Sequence, residues 1–507
     1  MEYNRIIQGD TKEVLKTLPA GSVNCIVTSP PYWGLRDYKI KPQIWDGDKN
    51  CNHEWGNKII TLKHKSGETN PGKEGWYKDR GASDDKGNCF CVKCGAWKGN
   101  LGLEPTFELY IKHLCDIFDE GKRVLRDDGT CWVNLGDTYW GGGQGGTNYG
   151  GKEVVKESNY GHIAKGRIYK TKSLCLIPQR FAIEMINRGW ILRNTIIWHK
   201  PNCMPSSARN RFTVDFEYLY FFTKSNKTQF WTNSKTGECV KERPSGIKGI
   251  EGKDWEWRRI GENYENSNTK INMEDAEKYN SPKARKYRKK ELKKVSLWKG
   301  HDYWFEQQFE QYTKPLNRWA GDNLKANNKS NWDEATGQKT YRDRNMRPNG
   351  QGRNKRAVWT ISTQPFPEAH FAVFPEVLIE TPIKAGCPEY VCKKCGLARM
   401  KILKPTEEYS KYLGKNNLIE HHAGQETKTK FKVKTNAEYE FKGYTDCGCN
   451  AGFEPGVTLD PFMGSGTTGV EAKKQGKRYL GVELKKDYIE IAKRRIAKTI
   501  RKPETLF

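Results

Sequence analysis

The strongest constraint on the fold is a glycine-rich segment near the C-terminus. Val457–Asp460 has the pattern of a short buried strand, and Pro461-Phe462-Met463-Gly464-Ser465-Gly466-Thr467-Thr468 follows it. A helical pattern then runs to Gly476, and the next strand pattern ends in Glu483. Such a βαβ unit binds nucleotide-like ligands at the carboxyl ends of its strands. Because the loop lacks the lysine of a phosphate-cradling Walker loop, the pattern disfavours ATP and GTP, and Glu483 suits a ribose diol.

Helical and strand patterns also alternate through the N-terminal half of the chain. The helical patterns lie at 11–18, 106–126 and 178–187, and the strand patterns lie at 22–28, 130–135, 191–198 and 218–222. Asp127-Asp128-Gly129 predicts a turn between the second helix and the strand at 130–135. Strands that alternate with helices in units of about 30 residues predict an α/β fold.

A stiff loop, Ser29-Pro30-Pro31-Tyr32, follows the first long strand pattern. Proline has no N–H, so this loop offers acceptors. The acceptors can hold the N–H groups of an exocyclic amine while Tyr32 stacks on its heterocycle, and the amine can then attack a sulfonium methyl group directly. Methylation at carbon 5 of cytosine typically uses a Pro-Cys dipeptide, and none of the 22 prolines precedes a cysteine. Taken alone, the Ser-Pro-Pro-Tyr sequence favours a rigid proline turn over a catalytic loop.

The two loops together, residues 28–33 early and 460–468 late, resemble those of the β-class DNA amino-methyltransferases. The resemblance covers residues 1–38, 101–225 and 356–496, and it implies a Rossmann-like sheet that binds S-adenosyl-L-methionine (SAM). It also implies an enzyme that flips a base out of duplex DNA. In that family the target-recognition region lies between the two motifs.

The resemblance assigns roles to individual residues. Asp10 would lie near the cofactor's adenine and Glu483 at its ribose. His370-Phe371, with Phe374-Pro375-Glu376, would lie near its methionine end. The implied catalytic residues are Ser29, Pro30, Pro31 and Tyr32. The implied cofactor-binding residues are Asp10, His370, Phe371, Asp460, Pro461, Phe462, Gly464, Gly466, Thr467, Thr468 and Glu483.

Ser-Pro-Pro-Tyr members of this family usually methylate N4 of cytosine, and Asp-Pro-Pro-Tyr members N6 of adenine. The resemblance therefore favours cytosine N4, with adenine N6 as the alternative. Methylation of RNA or of a protein glutamine, and a zinc protein that binds DNA without catalysis, are further alternatives.

Cysteine spacing predicts one or two structural zinc sites. Two groups of residues have the spacing of zinc ligands: Cys51, His53, Cys91 and Cys94, then Cys392, Cys395, Cys447 and Cys449. Four such ligands form a closed structural tetrahedron. The alternative is free thiols in surface loops. Methyl transfer needs no Lewis acid, so we expect neither group to be catalytic.

Charge and composition indicate the partner and the organisation. There are 88 Lys and Arg against 61 Asp and Glu, a net charge of +27, and eight basic residues lie between 283 and 294. Charge runs are usually solvated surfaces, but a basic region between two catalytic halves is a candidate for binding double-stranded DNA. The predicted divisions are the catalytic half (1–38 and 101–225), a zinc-binding insert (39–100), the target-recognition region (226–355) and the SAM-binding half (356–507), with a zinc-knuckle insert at 387–452.

No apolar run approaches the roughly 18 residues of a membrane span, so we expect no membrane partner. The resemblance places the protein in the cytoplasm of a bacterial or phage-infected cell, with a cognate restriction endonuclease as a possible partner.

Overall fold

A computed structural model of the 507-residue chain describes most of the α/β region. The described residues are 2–34, 40–56, 89–140, 172–206, 208–225, 231–233, 239–240, 257–259, 303–310, 353–364, 373–399, 401–407, 439–447 and 449–501.

The helices of the described residues are α1 (Thr11–Thr17), α2 (Phe107–Val124), α3 (Ile177–Asn187), α4 (Glu376–Gly386), α5 (Thr467–Lys474) and α6 (Lys486–Lys498). The strands are β1 (Arg5–Gln8), β2 (Val23–Thr28), β3 (Gln43–Trp45), β4 (Cys89–Phe90), β5 (Trp97–Gly99), β6 (Leu125–Leu135), β7 (Ile191–His199), β8 (Phe216–Thr223), β9 (Trp231–Asn233), β10 (Cys239–Val240), β11 (Trp257–Arg259), β12 (Phe309–Glu310), β13 (Arg353–Asn354), β14 (Val358–Thr360), β15 (Val391–Cys392), β16 (Lys401–Pro405), β17 (Tyr439–Tyr444), β18 (Phe453–Glu454), β19 (Val457–Asp460) and β20 (Arg478–Glu483).

Eight strands form the central sheet, in the order β1-β20-β19-β2-β6-β8-β7-β14. Neighbours pair in parallel except at β8, which is antiparallel to both β6 and β7. The predicted α/β fold with a Rossmann-like sheet is therefore confirmed. The carboxyl ends of the parallel strands, together with the start of β8, lie along one side of the sheet, hereafter the carboxyl edge.

Helices cover both faces of this sheet. On one face α2 buries an apolar stripe that includes Phe107, Leu114 and Phe118. On the other face α4 packs Leu378 and Ile383 against the strands. Because parallel strands between two helical layers have no solvent face, they consist of continuous apolar runs, and β2 is buried along its whole length.

The predicted turn at residues 127–129 is wrong. Strand β6 starts at Leu125, immediately after α2, and its pairing with β2 shifts register between Val23 and Cys25. The polar residues of this irregular segment are satisfied locally, because the Arg126 guanidinium lies 2.9 Å from the carboxylate of Asp128. Asp128 is only 5% exposed, so an ion pair takes the place of the expected turn.

The inserts form small separate sheets. Strands β3, β5 and β4 form one, β15 pairs with β18, and β16 pairs with β17. Of the predicted target-recognition region, residues 303–310 pack against the core, where Tyr303 and Trp304 are buried. The basic run at 283–294 lies outside the described residues. No helix in the part of the chain that is described is long and apolar enough to span a membrane.

Candidate functional site

The glycine-rich loop after β19 lies at the carboxyl edge, and its two glycines are needed for different reasons. Both lie in the left-handed region, at φ +52° for Gly464 and +86° for Gly466, where a side chain is strained. A Cβ on Gly466 would also come within 2.6 Å of Ala492 in α6, whereas a Cβ on Gly464 would meet only the Phe462 carbonyl oxygen, at 3.9 Å. The backbone at Gly464 is thus left accessible to a ligand.

Glu483 connects this loop to the end of β20. Its carboxylate accepts hydrogen bonds from Gly464 N at 2.9 Å and from Lys485 N at 2.8 Å. Burial raises the pKa of Glu483. Its backbone carbonyl accepts from Gly9 N, next to Asp10, which caps α1 by accepting from Glu13 N. The predicted adenine, loop and ribose residues therefore lie side by side.

Arg495 of α6 anchors the far side of the loop. Its guanidinium donates to the carbonyl of Ser465 at 2.7 Å and to the hydroxyl of Thr467 at 3.1 Å. The same group binds Glu376 at 3.1 Å, in the segment that the resemblance places near the cofactor's methionine end. One arginine thus fixes the start of α5 relative to α4.

Asp460 joins the two predicted loops. It is 1% exposed, and its oxygens accept from Thr28 Oγ1 at 2.6 Å, Phe462 N at 2.9 Å and Thr468 Oγ1 at 2.6 Å. Burial raises its pKa to about 6. Since Thr28 directly precedes Ser29, this carboxylate holds the glycine-rich loop against the proline loop.

The phenol of Tyr32 is held by groups from two neighbouring strands. Its oxygen lies 2.8 Å from Glu217 Oε2 on β8 and 3.0 Å from Asn134 Oδ1 on β6. Lys200 forms an ion pair with the other oxygen of Glu217. Ser29 Oγ lies 3.4 Å from the Tyr32 oxygen. Burial and the nearby Glu217 raise the pKa of Tyr32, so it is a neutral phenol at pH 7.

Packing fixes the rest of the proline loop. The Tyr110 hydroxyl donates to the Pro31 carbonyl at 2.7 Å, and the Trp33 indole donates to the Glu104 carbonyl at 2.9 Å. A Cβ on Gly136 would come within 2.7 Å of the Tyr32 ring. Glycine at the end of β6 therefore makes room for the ring.

Both predicted zinc-ligand groups come together. Within each group the four ligand atoms lie within 4.8 Å of one another. In the first, Cys51 Sγ is 3.9 Å from Cys91 Sγ, and Cys94 Sγ is 3.4 Å from His53 Nδ1. A tetrahedral zinc with Zn–S bonds of about 2.3 Å requires sulfur atoms about 3.8 Å apart, so the arrangement fits zinc.

The two Cys-x-x-Cys-Gly turns have the same backbone geometry. In each, the glycine N–H donates to the carbonyl of the first cysteine at 2.9 Å. The glycines have positive φ, +73° for Gly95 and +70° for Gly396. Although burial opposes it, backbone N–H groups lower the pKa of Cys91 to about 6 and that of Cys392 to about 7. Both first thiols are therefore biased towards the thiolate that binds metal.

A sequence model of the N6/N4 DNA methylase family matches residues 23–390 and 451–494. The chain belongs to this family. The prediction of a β-class DNA amino-methyltransferase is thereby confirmed, and the protein is a SAM-dependent DNA methyltransferase.

Relatives align along nearly the whole methyltransferase. Type II methyltransferase M.Cfr9I of Citrobacter freundii is 25% identical over 97% of this chain and 87% of its own length. M.SmaI of Serratia marcescens is 24% identical over 97% of this chain and 90% of its own. Among solved structures, PvuII DNA methyltransferase (cytosine-N4-specific) aligns with a TM-score of 0.38 at 11% identity, over 97% of this chain and 90% of its own.

Most of the predicted site residues of the methyltransferase lie at the carboxyl edge. Ser29 to Tyr32 follow β2, residues 460–468 follow β19, and Glu483 ends β20. His370 and Phe371 lie outside the described residues.

Sequence reasoning missed the residues that support Tyr32 and the loops: Thr28, Gly136, Lys200, Glu217 and Arg495. For two of them, Lys200 and Glu217, the only signal in the sequence was their position relative to the predicted strands. Lys200 follows one predicted strand and Glu217 precedes the next, so antiparallel pairing would bring them together, but that pairing is not visible in either strand's own residues.

Proposed function

We propose that this methyltransferase transfers the methyl group of SAM to N4 of cytosine in duplex DNA. The observation that supports the proposal is the hydrogen bond from Thr28 to Asp460, which joins the residue before Ser29 to the residue before the glycine-rich loop. Ser29, where the adenine-specific members of the resembled family have Asp, supports cytosine. Adenine N6 is the alternative.

The residues that would hold SAM are those of the open loop. The backbone at Gly464 leaves space that a Cβ would fill, and the carboxylate of Glu483 borders it. Asp10 lies next to Glu483 and would contact the adenine. When bound, SAM supplies a methyl group attached to a positively charged sulfur atom.

The proline loop would prepare the amine. The Ser29 hydroxyl and the proline carbonyls accept its N–H bonds, which directs the nitrogen lone pair away from the ring. Tyr32, neutral and held by Glu217, stacks on the flipped base. As the N–C bond forms, the bond from the methyl carbon to sulfur breaks, and the amine then loses one proton to solvent. No covalent enzyme intermediate is required.

The test is methylation-aware sequencing of DNA from a host that lacks its own methyltransferases and expresses this protein. We expect N4-methylcytosine at one short sequence, and loss of most of it in Ser29→Ala. Ser22→Ala is the matched control, because Ser22 precedes the same strand at its other end and its hydroxyl only binds the Pro19 carbonyl. Detection of N6-methyladenine instead would overturn cytosine as the target base. Methylation of RNA or protein but not of DNA would overturn DNA as the substrate.

Zinc in both cysteine clusters is part of the proposal. The fit of the ligand distances and the identical turns support it. Elemental analysis of the purified protein should find about two zinc ions per chain, and Cys91→Ser and Cys392→Ser should each lose one. A zinc content unchanged by either substitution would contradict the assignment.

The names of the relatives support a role in restriction and modification. We accordingly propose a cognate restriction endonuclease, with both enzymes in the bacterial cytoplasm, and residues 226–355 as the region that reads the target. DNA methylated by this protein should resist cleavage by that endonuclease, whereas DNA exposed to the Ser29→Ala variant should be cut.

A further inference from the structure

The loop between β7 and β8, residues 200–215, extends from the carboxyl edge beside Tyr32. His199, the last residue of β7, pairs with Phe216, the first residue of β8. The pairing of β6 with β8 places Leu135 opposite Tyr218. Since β6 and β2 are parallel neighbours, the loop leaves the sheet on the side where the proline loop lies.

The base of this loop is firmly held. Lys200 N donates to the Asp215 carbonyl at 2.7 Å, and the Lys200 side chain pairs with Glu217. The side chain of Asn202 exchanges hydrogen bonds with the backbone of Thr363, at 3.1 Å and 2.9 Å. The Lys200–Glu217 pair, which supports Tyr32, therefore also holds the base of the loop.

The tip of the loop exposes large apolar side chains. Phe212 is 94% exposed and Met204 is 90% exposed. Single exposed apolar residues are ordinary on protein surfaces, so exposure by itself indicates little. Here, however, the two occur on one loop at the edge that receives the target base, and a hydrogen bond from Ser206 N to Thr213 Oγ1 at 3.2 Å shapes the tip.

The charge of the loop fits a polyanion. Residues 200–215 contain three basic residues and one acidic residue, Asp215. Arg209 and Arg211 are exposed, and the Arg211 guanidinium lies 3.7 Å from the centre of the Tyr139 ring. Exposed arginines beside an apolar side chain are what a DNA-contacting loop requires, because phosphate contacts hold the backbone while an apolar wedge enters between bases.

We propose that Phe212 inserts into the base stack of the DNA and fills the gap left by the flipped base. The inference rests on the proposed function and identifies the surface that opens the duplex. Phe212 is five residues from Glu217, a span of at most about 17 Å, which is comparable with the roughly 12 Å width of the major groove. The wedge and the base pocket are thus joined by one short segment.

The test compares two duplexes that contain the recognition site, one fully paired and one with a mismatch opposite the target base. Phe212→Ala should lower kcat/KM about tenfold or more on the paired duplex, because opening a pair costs a few kcal/mol. On the mismatched duplex the kcat/KM of Phe212→Ala should stay within about threefold of the wild-type value, because the target base is already loosened. Phe212→Trp should retain most activity on both.

Ile500→Ala is the matched control. Ile500 is 85% exposed and lies next to Arg501, which contacts Gly476 at the opposite edge of the sheet. The kcat/KM of Ile500→Ala should equal that of the wild type on both duplexes. Thermal unfolding should show that Phe212→Ala is as stable as the wild type. If Phe212→Ala has the wild-type kcat/KM on the paired duplex, or loses equally on both duplexes, the proposed insertion is overturned. A wild-type protein that does not methylate DNA would instead overturn the proposed function.

Discussion

At the scale of single residues, Glu217 has the greatest influence on the proposed catalytic loop. It accepts from the Tyr32 hydroxyl on one side and pairs with Lys200 on the other, so it links the aromatic ring to β7 and β8. A hydrogen bond to a charged group is worth about 1.5–3 kcal/mol. The position of Tyr32 therefore depends on a residue of β8, 185 positions away in the chain.

Glu217→Gln should lower kcat on duplex DNA by about tenfold, because glutamine cannot pair with Lys200 while accepting from Tyr32. Binding of SAM, measured by calorimetry, should change little, because the glycine-rich loop is separate from this contact. Asp215→Asn is the control. Asp215 lies two residues away but contacts His199 only at 3.5 Å, so activity should be retained. Equal kcat for Glu217→Gln and wild type would contradict the positioning role.

The buried carboxylate of Asp460 predicts a pH dependence of stability. Its pKa is raised to about 6 in the folded protein, against about 3.9 when unfolded. Between these values the unfolded chain ionises while the folded chain stays protonated, so rising pH favours the unfolded state. This residue should reduce the free energy of unfolding by about 2 kcal/mol between pH 4 and pH 6.5.

The measurement is urea denaturation of the wild type and of Asp460→Asn across that pH range. Asparagine does not titrate. The free energy of unfolding of Asp460→Asn, relative to that of the wild type, should therefore rise with pH and level off above about pH 6. A constant difference across the range would show that Asp460 is ionised throughout.

At the scale of elements, a buried histidine fastens the first cysteine insert to α2. His113 lies between Glu104 and Asp46, at 3.0 Å and 3.1 Å, and its ring stacks on Trp45 and Trp97. Burial opposes protonation, but hydrogen bonds to the two carboxylates raise the pKa of His113. Since Trp45 and Trp97 belong to β3 and β5, this cluster joins the small sheet to the core.

His113→Phe should destabilise the protein by about 3 kcal/mol, because it retains a ring between the tryptophans but leaves the carboxylate of Glu104 buried without a cationic partner. Lys112→Gln is the control. Lys112 also pairs with Asp46, at 2.7 Å, but its side chain is 44% exposed, so the loss should be below about 1 kcal/mol. Guanidinium denaturation at pH 6 measures the free energy of unfolding of both variants. Equal losses would contradict the claim that the buried pair of His113 with Glu104 stabilises the protein more than the exposed Lys112 does.

At the scale of the whole molecule, the net charge of +27 predicts a strong salt dependence of DNA binding. Each phosphate neutralised by Lys or Arg releases counterions, so affinity for non-specific duplex DNA should fall at least about a hundredfold between 50 and 200 mM salt. Binding of SAM over the same range should change less than about threefold. Titration by fluorescence anisotropy tests this, and a flat salt response would contradict binding through phosphate contacts.

The local features of this methyltransferase were predictable from its sequence. Strand and helix patterns indicated α1, α2, α3 and the strands after them, because burial imposes a periodicity on neighbouring residues. The glycine-rich loop and the proline loop were recognisable because each is a short continuous segment, and the cysteine groups were recognisable because each consists of two closely spaced ligand pairs.

Contacts between distant segments were decided only by the tertiary structure. Asp460 meets Thr28 across 432 positions, and Glu217 meets Tyr32 across 185. No local pattern specifies them, because they follow from the order of strands in the sheet, and many strand orders satisfy the same sequence periodicity. The sequence by itself determined the family and its two loops; the packing of the sheet determined which residues support them and placed the exposed Phe212 on a loop at the carboxyl edge.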